Sequence, residues 1–135
     1  MSDWRNYPLQ LGVRPWRLVV AKLPPNRTYT RMGEFWCLLQ SPTETSLICE
    51  DKYVPREATG MAANWRCLEV AGPLNFSMVG ILARISQPLA EADISIFVVS
   101  AFETDYVLVR QEDMARATEA LRASGCIVVG EPAAE

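Results

Sequence analysis

Histidine is absent from this chain. That removes His-based general acid–base catalysis, Ser–His and Cys–His nucleophile pairs, and the commonest nitrogen ligand for metals. Lysine is scarce: Lys22 and Lys52 are the only two, and neither sits in a recognisable motif. No paired-carboxylate motif stands in their place, so the sequence reads as non-catalytic and calls for no cofactor. The cysteines never stand in C-x-x-C spacing. Cys37, Cys49, Cys67 and Cys126 fall in four separate predicted strands. A metal knuckle or redox dithiol is thus without sequence support, and buried reduced thiols are the expectation. An apolar run of about 18 residues is also missing, so no segment is expected to span a membrane. The opening Met-Ser-Asp-Trp-Arg-Asn lacks the apolar core of a signal peptide. The expected location is the cytoplasm. Nor is there a basic excess: 13 basic against 16 acidic side chains give a net charge of −3. A nucleic-acid or anionic-membrane surface needs a basic stripe, so neither partner is expected.

What is present is core-forming material. Half of the 135 residues are hydrophobic, enough for one ordinary domain or two small ones sharing a core. Charge is uneven along the chain. Residues 1–64 carry 8 basic and 6 acidic side chains, residues 65–135 carry 5 and 10. Most of these charges read as solvated surface.

In residues 1–17, Pro8 and Pro15 discourage helix. Residues 18–23 (Leu-Val-Val-Ala-Lys-Leu) predict a strand, ended by Pro24-Pro25. A loop runs to Glu34. Residues 35–40 and 46–49 predict two strands joined by the polar hairpin connection Ser-Pro-Thr-Glu-Thr. One helical turn fits near Pro55 to Ala58. Residues 65–71 predict a strand broken by Gly72-Pro73. Asn75, or Ser77 slightly later, suits a helix N-cap. From there Phe76, Val79, Leu82, Ile85 and Leu89 recur at helical spacing, with Pro88 loosening the last turn. Residues 94–102 (Ile-Ser-Ile-Phe-Val-Val-Ser-Ala-Phe) make the strongest strand, apolar on both faces. Helices can cover one face only, so another sheet or a second subunit is expected on the other, and a homo-oligomer follows. A turn at Glu103-Thr104 leads to a partner strand over 105–110. A second helix follows, with Met114, Ala117 and Leu121 inward and Gly125 at its C-terminal cap. Residues 126–130 form the last strand.

Residues 65–130 thus run strand, helix, strand, strand, helix, strand: a split βαβ, or ferredoxin-like, module of the α+β class. The order strand, loop, strand, strand over 18–49 echoes it without the first helix. The expected organisation is tandem, a degenerate half at 1–64 and a complete module at 65–135. Such a module sets its first strand beside its third, so the turn opening the first helix and the turn at 101–105 converge. Helix-start N–H groups there can take a carboxylate, Gly80 permits close approach, and Glu103 and Asp105 can take an ammonium. A zwitterion fits such a crevice. Residue types alone equally allow a plain turn at Gly72-Pro73, helix–sheet packing at Gly80 and solvated turn acids at Glu103 and Asp105. Phe76, Phe97, Phe102 and Tyr106 equally serve as packing.

The residues Trp65-Arg66-Cys67-Leu68-Glu69-Val70, Asn75-Phe76-Ser77 with Gly80-Ile81-Leu82, and the run from Ile94 to Val109 resemble the ACT domain. The last run is similar to the strand pair of aspartate kinase ACT domains. It is more similar still to CASTOR-type cytosolic arginine sensors and their small bacterial relatives. The resemblance implies an amino acid held at an interface between two ACT modules. By position it names Asn75, Phe76, Ser77, Met78, Gly80 and Ile81 on one side, and Ala101, Phe102, Thr104 and Asp105 on the other. Where the arginine sensors carry an acidic residue in the helix-start loop, this chain has Met78. Asp105 remains a cation partner, but the ligand's side chain is not fixed.

The leading expectation is therefore a regulatory amino-acid binder whose ligand biases an assembly or a target enzyme. The alternative is a structural or oligomerisation module with no ligand site. An enzyme ranks below both, for want of histidine and paired carboxylates. An RNA-binding sheet ranks lowest, since no basic residues surround Phe97.

Overall fold

The chain places its β-branched and alternating segments in strands and its two amphipathic segments in helices. A computed structural model describes residues 6, 8–72 and 80–130. In chain order these form β1 (Gln10–Lys22), β2 (Trp36–Gln40), β3 (Thr45–Glu50), β4 (Gly60–Val70), α1 (Ile81–Glu91), β5 (Ile96–Ser100), β6 (Asp105–Arg110), α2 (Met114–Ala123) and β7 (Ile127–Val129). Short 3-10 turns occupy Asp51–Tyr53 and Gln111–Asp113. The fold is α+β. The chain divides into two compact units: residues 1–15 with 66–135, called here the helical unit, and residues 16–65, the inserted unit. β1 and β4 each give one end to either unit.

In the helical unit the strand order is β7-β1-β4-β6-β5. β4 lies beside β6, as a split βαβ requires of its first and third strands. β5 and β6 are an antiparallel hairpin pairing Ile96 with Val109 through Ser100 with Asp105. The turn closes by the Ala101 N–H donating to the Thr104 carbonyl at 2.9 Å. β7 does not reach β4. Gln10, Leu11 and Gly12 of β1 pair in parallel with Ile127, Val128 and Val129, and the Ala71 N–H donates to the Gln10 carbonyl at 2.8 Å on the other side.

Both helices pack on one face of these strands. Ile81, Ile85 and Leu89 of α1, with Met114, Ala117 and Leu121 of α2, meet Leu11, Leu68, Val70, Val107 and Val109. Leu82 does not join them. It is 41% exposed, and the buried polar residue of α1 is Arg84. The reason is the helix start: α1 begins at Ile81, after Gly80 at φ +83, so the inward stripe runs 81, 85, 89. Asn75 and Ser77, the expected caps, lie outside the described residues. Pro88 sits inside the last turn, and the helix closes soon after it through the Ala92 N–H on the Pro88 carbonyl at 3.1 Å. α2 ends as expected at Gly125, φ +99. The Cys126 N–H reaches the Leu121 carbonyl and the Gly125 N–H the Arg122 carbonyl, both at 3.0 Å. That is the paired bonding of a Schellman cap. Arg84 of α1 reinforces it, donating to the Ser124 carbonyl at 2.6 Å and to its hydroxyl at 3.0 Å. A buried guanidinium is thereby set against the negative end of α2. Ile96 and Val98 pack toward this core, whereas Phe97, pointing the other way, is 39% exposed.

In the inserted unit the order is β2-β3-β1-β4. β1 pairs antiparallel with β3 from Leu18–Glu50 to Lys22–Ser46, and β3 with β2 from Cys49–Trp36 to Thr45–Gln40. The β2–β3 connection is a tight hairpin, with the Ser41 N–H on the Glu44 carbonyl at 2.9 Å. At Pro55 to Ala58 the expected helical turn is a single turn, closed by the Ala58 N–H on the Pro55 carbonyl at 3.2 Å. No α-helix occurs among the described residues of this unit. Its core of Val19, Ala21, Leu23, Leu47 and Cys49 is covered instead by half-buried Tyr29, Trp36, Leu38, Val54 and Ala58. β1 begins well before residue 18, because Pro15 falls between its pairing with β7 (10–12) and its pairing with β3 (18–22). A proline costs a strand little where no neighbour waits for its N–H.

Candidate functional site

β4 ends at Val70, and the β5–β6 turn stands beside that end. Their junction forms an open crevice of about 550 Å³ in the helical unit, lined by Glu69, Gly72, Ala101, Phe102, Glu103, Thr104 and Tyr106. The turn is tied to the strand end by the Thr104 hydroxyl, which donates to the Val70 carbonyl. Strand alternation sets Glu69 on the face opposite Leu68 and Val70, away from the helices. Arg14 lies against it, Nε to Oε1 3.5 Å, with both side chains partly open to solvent. Burial, then the charges of Glu69 and Cys67, hold the Tyr106 phenol above its ordinary range, with Arg14 opposing. Phe102 is 78% exposed at the rim.

Of the residues expected on the strand side, Ala101, Phe102 and Thr104 line the crevice. Asp105 opens β6 opposite Ser100 and is not among the lining. On the helix side, Gly80 caps α1, and Ile81 is buried in the helix–sheet core. Asn75, Phe76, Ser77 and Met78 lie outside the described residues. Glu69 and Tyr106 were not among the expected site residues. The signal for Glu69 was available: a carboxylate at an interior strand position, two along from Cys67 on the same face. Tyr106 follows from the hairpin register, which pairs it with Val99.

The described residues hold no cluster of three or more His, Cys, Asp or Glu fit for a metal. The four cysteines are free, three of them buried. Burial, with Glu69 adding, pushes the Cys67 thiol up to about 12. Burial, with Glu50 and Asp51, pushes Cys49 up to about 11. Thiols so raised stay protonated and are poor nucleophiles. No helix among the described residues is long and apolar enough to cross a membrane.

Strand order, helix placement and the crevice together define an α+β module of ferredoxin-like type. Residues 61–123 match the family model of the ACT domain. The human cytosolic arginine sensor for mTORC1 subunit 1 is 41% identical over 59 residues, 43% of this chain and 18% of that protein. The chain thus matches about a fifth of the length of that curated relative. Among solved structures, a protein from Agrobacterium tumefaciens superimposes with a TM-score of 0.84 at 25% identity, covering 96% of this chain and 98% of the other. The aspartokinase alpha and beta subunit structure superimposes at 0.60 with 15% identity, covering 87% and 98%. That last likeness is one of fold.

Proposed function

We propose that this chain is a non-catalytic, cytoplasmic regulatory protein that binds an amino acid in the crevice between the β4 end and the β5–β6 turn. The observation that carries the reading is the crevice itself. It lies within the ACT segment and is lined by Ala101, Phe102 and Thr104, three of the residues that the resemblance names. Glu69 and Glu103 supply acceptors for an ammonium. The first N–H groups of α1, which have no partner within the helix, supply donors for a carboxylate. Asn75, Phe76, Ser77, Met78, Gly80, Ile81 and Asp105 complete the proposed ligand surface. A second ACT module, from another copy of the chain, closes the site in this reading. Exposed Phe97 and Phe102 support that closure. The tandem organisation, a reduced half at 1–64 before a complete one at 65–135, is part of the same proposal.

A ligand seated between modules stabilises the assembled state in proportion to its preference for that state. Isothermal titration and thermal shift against the common amino acids at millimolar concentration test this directly. One or a few should bind, and Glu69→Gln should weaken the response about tenfold or more. Silence with every amino acid, and a sedimentation profile that none of them alters, would leave a purely structural module as the surviving reading.

A further inference from the structure

The inserted unit has a crevice of its own. It measures about 380 Å³ and is bounded by Tyr29, Trp36 and Tyr53, with Lys52 and Arg56 at its rim. Pockets of a few hundred Å³ hold small organic ligands. The wall above it is the connection between β1 and β2, residues 23–35. Connections of that length without helix or strand are uncommon in compact units, and are usually either disordered or functional.

This one is fastened along its length. The Tyr29 hydroxyl donates to the Pro24 carbonyl at 2.8 Å. The Glu34 N–H donates to the Glu50 carboxylate at 2.6 Å, and the Trp16 indole donates to the Glu34 carboxylate at 2.8 Å. Gly33, at φ +80, lies so close to Tyr53 that a Cβ there would stand 2.8 Å from its ring. Tyr53 is thus held between a glycine turn and the crevice. A loop anchored at this many points has a fixed shape, and a fixed concave shape costs a ligand little ordering.

Three of the lining side chains are aromatic. Tyr29, Trp36 and Tyr53 are half-buried, and Tyr29 and Trp36 pack against the core of the unit. The charge at the rim is positive and uncommitted. Lys52 Nζ lies 5.4 Å from the Tyr53 ring centroid, a loose cation–π contact that a ligand can replace. Neither Lys52 nor Arg56 has an ion pair or hydrogen bond among the described residues. The rim's own carboxylate, Glu57, faces Arg27 at 3.9 Å. Aromatic walls with two free cations suit a flat ring bearing an anionic group.

We infer that this crevice is a second small-molecule site, independent of the one at the β5–β6 turn, and that it takes a small aromatic anion. The shared chemistry is a planar ring with one carboxylate or phosphate. Two probes separate the sources: indole-3-acetate for an aromatic carboxylate and adenosine monophosphate for a nucleoside phosphate. Indole and inorganic phosphate serve as the ring and the anion alone.

The test is amide-resolved NMR titration of the full chain, with tryptophan fluorescence in parallel. At least one of the two ring-bearing anions should shift the amides of residues 28–32 and 52–57, while indole alone and phosphate alone bind at least tenfold more weakly. Lys52→Ala/Arg56→Ala changes two exposed side chains, so the fold should survive. It should weaken binding at least tenfold while leaving any amino-acid response at Glu69 and Thr104 intact. Trp36→Phe should remove the fluorescence change. If both anions leave residues 28–32 and 52–57 unmoved at millimolar concentration, or bind the double variant as tightly as the parent, the assignment is wrong. Because the shifted amides lie in different units, loss of one site and loss of the other read out separately.

Discussion

The two units build their sheets from overlapping strands and cover them by opposite means. In the helical unit α1 and α2 lie across one face, and nearly every side chain between helix and sheet is fully buried. In the inserted unit no described α-helix is present, and half-buried Tyr29 of the β1–β2 loop, Trp36 and Leu38 of β2, and Val54 and Ala58 after β3 do the covering. The difference teaches where function can reside. A helix buries its inward stripe completely and leaves binding to strand ends and turns. A loop leaves aromatic faces half open, so its crevice lies directly on the core. Perturbations should follow the same division: large and global where the cover is helical, smaller and local where it is a loop.

The largest test of that contrast is Arg84→Ala. Arg84 is 5% exposed and joins α1 to the end of α2 through Ser124. Its removal leaves the part-buried Ser124 carbonyl short of a donor and opens a cavity, a loss of about 3 kcal/mol. Urea denaturation read by circular dichroism checks it. If the midpoint barely moves, the helical cover is not held together as described. Arg84→Lys should recover only part of the loss, because one ammonium cannot match a fork reaching both the carbonyl and the hydroxyl.

The matching change in the inserted unit is Gly33→Ala. A positive φ penalises any side chain by roughly 1–2 kcal/mol, and the added Cβ would press on the Tyr53 ring and the Glu50 carboxylate. Those atoms can yield, because the loop faces solvent. The expected loss is about 2 kcal/mol, with amide shifts confined near residues 28–36 and 50–57. A spread of shifts into α1 and α2 would break the comparison, since it would mean the units answer as one.

How far the sequence disclosed this arrangement depends on whether the decisive signal was local. α2, its Gly125 cap and β6 were legible because periodicity and a cap glycine are read within one segment. The first half of β1 was hidden by Pro15, whose tolerance depends on which neighbours β1 lacks at that point. The inward stripe of α1 was misread at Leu82 because the helix starts at Ile81, so its phase is set later than the expected caps. At the candidate site, Ala101, Phe102 and Thr104 were legible from the turn. Glu69 left a trace, as a carboxylate at an interior strand position, but its meeting with Tyr106 comes only through strand adjacency and hairpin register. The aromatic crevice of the inserted unit left no linear trace. Tyr29, Trp36 and Tyr53 belong to three separate segments, and only the fold gathers them.

The buried thiols offer a comparison of the same kind. Cys67 of the helical unit is raised to about 12 and Cys49 of the inserted unit to about 11, both from 9.0. A raised folded-state value means that, above pH 9, the unfolded chain releases protons that the folded chain retains. Stability is therefore full below pH 9 and falls as pH rises, by about 1 kcal/mol per pH unit for each thiol. Cys49 should stop contributing near pH 11 and Cys67 near pH 12. Denaturation at pH 8, 10 and 11 measures the slope. Cys49→Ala and Cys67→Ala should each flatten it by about half up to pH 11. A slope unchanged in both variants would show that other groups, Tyr106 among them, carry the alkaline loss.

The smallest expected effect lies at the loop anchor. Glu50→Gln keeps the shape of the side chain but replaces a charged acceptor for the Glu34 N–H with a neutral one. In an exposed setting that is worth about 0.5–1 kcal/mol. Global stability should move by no more than this, and hydrogen exchange should quicken at Glu34 and its neighbours while α1 and α2 keep their protection. The same variant bears on ligand binding. If the aromatic crevice depends on a preset wall, loosening the wall should weaken adenosine monophosphate or indole-3-acetate several-fold, although Glu50 is not among the lining residues. Unchanged affinity with faster exchange would mean that the wall is dispensable and that the rings and cations alone hold the ligand. The comparison of covers would stand, but fixed loop shape would no longer explain the site.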